Sequence, residues 1–136
     1  DKVQDVKKVV EALKQGQRPE YSEKKTTRRP WGGYTNLIES AGYKVKKIVV
    51  FPGQSLSLQK HMHRSEHWTV VVGKAEVVNG AETKVLEANQ SIYIEKEAVH
   101  RLTNIGGTDL QLIEVQCGDY LGEDDIIRLQ DNYGRI

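Results

Sequence analysis

The sequence predicts an all-β domain, a sandwich or a barrel, with a helix at each end. Three observations carry that reading. From Trp31 onward the chain is a succession of short runs rich in β-branched and aromatic residues, each bounded by Gly, Asn, Pro or charged turns. Asn79-Gly80 falls between two of these runs and is a strong hairpin signal. No stretch between the runs places its apolar residues at helical spacing, which excludes an alternating α/β architecture and leaves a sandwich or barrel.

Taken in order, residues 1–15 (DKVQDVKKVVEALKQ) read as an amphipathic helix. Val3, Val6, Val9, Val10 and Leu13 form one stripe, and Gly16 is a good stop. Such a helix needs a surface to lie against, either in this domain or in one upstream. From Gly16 to Pro30 the chain is polar and proline-bearing, a linker or surface arm. Its basic run KKTTRR reads as solvated, or else its end at Arg28 and Arg29 reaches an anionic ligand. The expected strands are YTNLIES, YKVKKIVVF, SLSLQKH, HWTVVVG, AEVV, TKVLE, SIYI, HRLTN and LQLIEVQ. The closing GEDDIIRLQDNYGRI reads as a short helix, because Glu123, Asp124 and Asp125 suit a helix N-terminus. The expected division is therefore residues 1–30 as linker helix and arm, and 31–136 as the β-domain.

Composition narrows the function classes. A chain of 136 residues is one domain on a prior of ~100–200 residues per domain. Its net charge of +1 is too balanced for a nucleic-acid binder that works by bulk charge. No run approaches the ~20 apolar residues of a membrane span. The single Cys117 excludes an internal disulfide and fits a reducing, cytoplasmic setting, and its plain reading is a small strand residue. The start at Asp1 leads to the expectation of a longer parent protein.

The chemistry is concentrated in QKHMHRSEH, which holds three of the four histidines, while His100 lies in a later strand. Side chains alternate along a strand, so Gln59, His61 and His63 are expected on one side. After a tight turn at Arg64-Ser65, Glu66 and His67 open the returning strand. Imidazole nitrogens mixed with carboxylate or carboxamide oxygens suit a divalent transition metal. The plainer reading, a polar hairpin face, leaves the carboxylate at the turn and the separate His100 unexplained.

On these residues the sequence resembles the cupins. Gly53, Gln59, His61, Glu66 and Gly73 have the spacing of the first cupin motif, and His100 with Asn104 ends the second. Gln59 stands where the cupin pattern has His. Asn89, Glu95 and Glu97 stand where the second motif has Gly, Pro and Gly, so the turn entering the His100 strand must be built differently. Over nearly the whole chain the resemblance is closer still. RPWGGY, VKKIVVFPGQSLSLQKHMHRSEHWTVVVGKA, HRLTNIG and IEVQCGDYLGEDDIIRLQDNYGR are similar to the type II phosphomannose isomerases, the C-terminal cupin domains of bifunctional mannose-1-phosphate guanylyltransferase/mannose-6-phosphate isomerase proteins. DKVQDVKKVVEALK is similar to the segment joining the two domains.

The resemblance implies a double-stranded β-helix, a jelly-roll barrel, with one divalent metal ion (Zn, Mn, Co, Ni or Mg) held by Gln59, His61, Glu66 and His100. It implies interconversion of mannose-6-phosphate and fructose-6-phosphate, feeding GDP-mannose synthesis for polysaccharide. The partners implied are the sugar phosphate and an upstream guanylyltransferase domain, with a homodimer as the expected assembly and neither nucleic acid nor membrane. An aldose–ketose isomerase needs a group to move a proton between the first two carbons; His63, Lys60 and His67 are the candidates. The phosphate needs cationic donors, for which Arg29, Lys60, Arg64, Arg101, Arg128 and Arg135 are available. Trp31 and Trp68 read as packing residues, and Tyr120 and Tyr133 stay undecided. The alternative is a non-catalytic cupin that binds sugar phosphate or mediates oligomerisation. An iron dioxygenase would leave the arginines and the tail without a role. No glycine-rich nucleotide-binding signature is present for the guanylyltransferase step.

Overall fold

The computed structural model describes residues 6, 7 and 25–135. Eleven strands follow one another: β1 (Thr26–Arg29), β2 (Gly32–Ser40), β3 (Tyr43–Val50), β4 (Leu58–Lys60), β5 (Arg64–Val72), β6 (Ala75–Asn79), β7 (Glu82–Leu86), β8 (Ser91–Ile94), β9 (His100–Asn104), β10 (Leu110–Gly118) and β11 (Ile127–Gln130). They form a six-stranded sheet, β1-β2-β3-β10-β5-β8, and a five-stranded sheet, β11-β4-β9-β6-β7, in which neighbours run antiparallel. Every strand expected from the sequence is present.

Alternation along the strands builds the interior. In β5 the inward residues are Arg64, Glu66, Trp68 and Val70; in β10 they are Leu110, Leu112, Glu114 and Gln116. Trp31, Ile48, Val50, Trp68, Ile94, Leu102 and Leu112 fill one end of the space between the sheets, so both tryptophans are core residues. The other end is polar. A satellite cluster of Leu37, Val45, Ile113 and Val115 lies on the outer face of the six-stranded sheet, with Val6 and Cys117 packed against it. Val6 and Lys7 are helical; the rest of the expected helix over 1–15 lies outside the described residues.

Special backbone conformations fall at the motif positions. Gly53 and Gly73 have φ of 76° and 100°, conformations that suit a residue without a Cβ. Asn89 and Glu97 have φ of 72° and 68°. At these two positions, where the cupin pattern carries glycine, this chain keeps the left-handed backbone while bearing a side chain. Asn104 closes the β9–β10 turn: its amide nitrogen donates to the Val50 and Thr108 carbonyls at 2.8 Å each, and its Oδ1 accepts from Gly106 N–H at 2.9 Å.

Four expectations need correction. The tail forms no helix among the described residues; it forms β11, which pairs with β4 in the register Ile127↔Lys60 and Arg128↔Gln59. The Glu123 and Asp125 carboxylates that suggested a helix cap instead bind Lys46 and the N–H groups of Met62 and His63. The stretch 16–30, read as linker or arm, supplies an edge strand over 26–29, paired with β2. The bend after β4 lies at Met62-His63 rather than Arg64-Ser65, and β5 already begins at Arg64. The two-residue hairpin sits one residue later than Asn79-Gly80 suggested, with Gly80 and Ala81 between the paired Asn79 and Glu82.

Candidate metal centre

Gln59 and His100 are register partners on β4 and β9, so their side chains enter the interior together. His61 follows β4, and Glu66 points inward from β5 in the facing sheet. His61, Glu66 and His100 are 2%, 1% and 1% exposed. One potential ligand atom from each lies within 4.8 Å of the others. His61 Nε2 is 3.4 Å from Glu66 Oε2, and His100 Nε2 is 3.6 Å from Glu66 Oε1.

The far sides of the rings fix which nitrogen faces the centre. His61 Nδ1 donates to the Asp125 carbonyl at 2.6 Å, and His100 Nδ1 donates to the Ala98 carbonyl at 2.9 Å. Each ring therefore turns an Nε2 lone pair toward Glu66, the arrangement in which a histidine serves as a metal ligand. Burial, then the positive fields of Arg64 and His100, lower the His61 pKa to about 4; burial also lowers that of His100. Both rings are accordingly neutral at pH 7. His100 Nε2 is buried with no hydrogen-bond partner. A buried acceptor left without a partner, beside a carboxylate and a second imidazole lone pair, fits a divalent ion.

Gln59 completes the group. Its Oε1 accepts from Ser57 Oγ at 2.6 Å, and its Nε2 lies 3.5 Å from His61 Nε2. Turning the amide over would present Oε1 to the centre and leave Nε2 to donate to the Ser57 hydroxyl.

Arg64 enters the same space. It is 6% exposed, and its guanidinium lies 2.9 Å from Glu66 Oε2 and 3.3 Å from His61 Nε2. Burial opposes its charge, but Glu66 and Glu114 outweigh burial and raise its pKa.

A cavity of about 110 Å³ opens beside the cluster, lined by Arg29, Lys46, Ser57, Gln59, Arg64, Glu66, Glu114, Gln116, Glu123, Arg128 and Arg135 among others. Arg128 Nε is buried without a partner. The Arg135 guanidinium makes two hydrogen bonds to Asp131, at 2.8 and 2.7 Å. Arg29 lies beside Tyr34, 5.4 Å from its ring centroid. Of the arginines expected at the phosphate, Arg29, Arg64, Arg128 and Arg135 gather at this mouth. Arg101 does not: it alternates outward from His100 and reaches Gln130.

The three expected proton carriers lie elsewhere. Lys60 is on the opposite face of β4 from Gln59. The bend at Met62 turns His63 out of the barrel, so its expected shared side with His61 does not hold. His63 sits edge-on to Tyr120 at 6.0 Å. His67 alternates outward from Glu66 and lies 4.6 Å from Tyr93, ring to ring. His63 and His67 both line a separate outer groove of about 880 Å³, with Tyr43, Tyr93 and Cys117.

The mouth holds groups that the histidine motif did not reveal. Lys46, 4% exposed, is 2.6 Å from Glu123 and 4.1 Å from the Tyr34 ring centroid. Glu114 accepts from Trp68 Nε1 at 3.0 Å and lies 2.6 Å from Gln116 Nε2. Burial and the charge of Glu66 push its pKa up. The sequence signal for these residues is parity. Lys44 and Lys46 alternate with the same phase as Ile48 and Val50, and Glu114 and Gln116 with that of Leu110 and Leu112. Charged residues at core phase mark a site rather than a surface.

Two antiparallel sheets closed face to face, with a His–His–Glu cluster at the polar end, define a cupin barrel. The solved structures agree on the fold: Bacillus subtilis oxalate decarboxylase superposes with a TM-score of 0.70 at 20% identity, over 80% of this chain and 31% of that one. Staphylococcus aureus capsular polysaccharide assembling protein CapF gives 0.69 at 17% identity, over 79% and 34%. Residues 16–131 match the family described as mannose-6-phosphate isomerase C-terminal, and the chain belongs to that family. It is 50% identical over 135 residues to the xanthan biosynthesis protein XanB of Xanthomonas campestris pv. campestris, covering 99% of this chain and 29% of XanB. It is 51% identical over 135 residues to the alginate biosynthesis protein AlgA of Pseudomonas aeruginosa, covering 99% and 28%. It is 53% identical over 131 residues to mannose-1-phosphate guanylyltransferase 2 of Escherichia coli O157:H7, covering 96% and 27%. The chain thus spans less than a third of the length of these relatives. Among the described residues no helix is long and apolar enough to cross a membrane.

Proposed function

We propose that this domain interconverts mannose-6-phosphate and fructose-6-phosphate, as the isomerase part of a longer protein that also carries a guanylyltransferase domain and supplies GDP-mannose for polysaccharide synthesis. The observation that carries the reading is the pairing of two neutral imidazole lone pairs with the Glu66 carboxylate in a mouth ringed by arginines. Gln59, His61, Glu66 and His100 would hold one divalent ion, Zn, Mn, Co, Ni or Mg. When bound, the metal supplies a Lewis acid that stabilises negative charge on the sugar oxygens during proton transfer.

The protein's own groups would do the rest. Arg29 and Arg128 offer guanidinium groups to the phosphate at the rim, and Arg135, whose Nε and Nη2 bind Asp131, adds positive charge there. Lys46 and Glu114 face each other across β3 and β10, and both line the mouth. They are better placed than His63, Lys60 or His67 to carry the proton between C2 and C1 of the open-chain sugar. That same outward placement of the three expected carriers is the observation favouring the second reading, a sugar-phosphate-binding or oligomerisation cupin without turnover.

A coupled isomerase assay on metal-stripped protein separates the two. Mannose-6-phosphate is supplied and Mn, Co, Zn, Ni and Mg are returned singly. Activity that returns with metal and is lost in His61→Ala and His100→Ala supports the isomerase. Tight metal binding without fructose-6-phosphate supports the binding module. No metal binding at all overturns the ligand set.

A further inference from the structure

We infer that Asp125 is the positioning residue of the metal centre, the one group that sets both the tautomer of His61 and the shape of the turn that carries it. The inference rests on reading His61 as a ligand. Three consecutive residues of the bend after β4 donate to this single residue. His61 gives its Nδ1–H to the Asp125 carbonyl at 2.6 Å, Met62 its main-chain N–H to Oδ1 at 2.9 Å, and His63 its main-chain N–H to Oδ2 at 3.0 Å. Asp125 is 7% exposed.

The chemistry requires a carboxylate at this position. Two adjacent N–H groups outside the strand ladder need two acceptors, and only an ionised Asp or Glu offers two oxygens and no donor. Asn would set its NH₂ against one N–H group, and Ala would leave both without an acceptor.

The residue is itself anchored on both sides. Its N–H donates to the Gly122 carbonyl at 3.1 Å, and two residues later the chain enters β11, paired Ile127↔Lys60 against the strand that leads into His61. Ladder and clamp therefore hold His61 from opposite ends of one short segment. A ligand histidine oriented by a hydrogen bond on its far nitrogen loses that orientation when the bond goes, at a typical cost of about 10–100-fold in metal affinity.

The test uses the whole chain, stripped of metal. Ring ¹⁵N resonances of His61 report its tautomer, and calorimetric titration with Zn²⁺ alone reports affinity. The unmodified protein should hold His61 as the Nδ1–H tautomer. Asp125→Asn keeps the main-chain carbonyl but breaks the two side-chain bonds to Met62 and His63 that hold it against His61 Nδ1, so it should mix the tautomers and weaken Zn²⁺ binding by about 10–100-fold, with the β-sheet circular dichroism unchanged. Asp124→Asn, at the exposed neighbour that accepts from the Tyr120 hydroxyl, should change neither readout. An Nε2–H tautomer in the unmodified protein overturns the inference without any variant, which keeps it exposed even where Asp125→Asn fails to fold. Unchanged tautomer and affinity in a folded Asp125→Asn overturn it as well. Absence of Zn²⁺ binding by the unmodified protein would sink the ligand assignment, while the tautomer in Asp125→Asn would still decide the role of Asp125.

Discussion

Arg64 and Glu66 lie two residues apart on one strand, and both turn into the barrel, with guanidinium Nε and carboxylate Oε2 2.9 Å apart. The carboxylate best placed for an ion thus already has a buried cation beside it. Removing one partner of a buried pair leaves the other charge uncompensated, at about 3–5 kcal/mol. Arg64→Met should destabilise the metal-free protein by that amount in urea unfolding. Saturating metal should return most of the loss, because an ion supplies the missing positive charge. Equal losses with and without metal would separate Arg64 from the ion's surroundings.

The histidines set an acid limit for the metal-free protein. His61 has its pKa lowered from 6.5 to about 4 by burial, and that of His100 is lowered by the same cause. Between those values the unfolded chain binds more protons than the folded one, so stability rises with pH in that window. The contribution is full above pH 6.5 and disappears as pH falls toward 4. Urea midpoints measured from pH 7.5 downward should fall through this range, and His61→Gln should flatten the slope.

Glu114 acts with the opposite sign. Burial and then Glu66 raise its pKa above the ordinary 4.5, so the folded state keeps a proton that the unfolded state gives up, and stability declines as pH rises past 4.5. Glu114→Gln keeps an acceptor for Trp68 Nε1 and removes that loss. The variant should gain in urea midpoint at pH 7 relative to pH 4. Isomerase turnover by the metal-loaded variant should drop if Glu114 carries a proton.

The left-handed residue at Glu97 offers a test of stored strain. Its φ is 68°, and its N–H donates to the His61 carbonyl at 2.8 Å. Glu97→Gly keeps that bond and relieves the Cβ contact, for a gain of about 1 kcal/mol. A thermal-melting increase with unchanged Zn²⁺ affinity is the expected outcome.

The β-character of the domain was legible because its strands alternate cleanly, as β5 does with Glu66, Trp68 and Val70 set against His67 and Thr69. The cluster of His61, Glu66 and His100 was legible because three chemically matched residues stood at motif spacing. What escaped was decided by contacts distant in sequence. Glu123 and Asp125 satisfy the local rule for a helix start, yet tertiary partners at Lys46 and the Met62-His63 bend take those carboxylates. The facing of His63 departs from the expected one because period two holds only while the strand continues, and β4 ends at Lys60. Lys46 and Glu114 belong to no motif, and only their alternation in phase with core residues sets them apart from surface charges.

The cluster also straddles a seam. Gln59 and His100 hang from strands of the five-stranded sheet, whereas Glu66 hangs from the six-stranded one. An ion held by all of them would fasten the two halves of the barrel at its polar end. It would also tie His61 to His100 across the whole intervening chain, a closure that by polymer arithmetic would remove about 4 kcal/mol of freedom from the unfolded ensemble. A chelator should therefore loosen the seam first, so that hydrogen exchange accelerates along β4 and β9 before it reaches the Trp68 core.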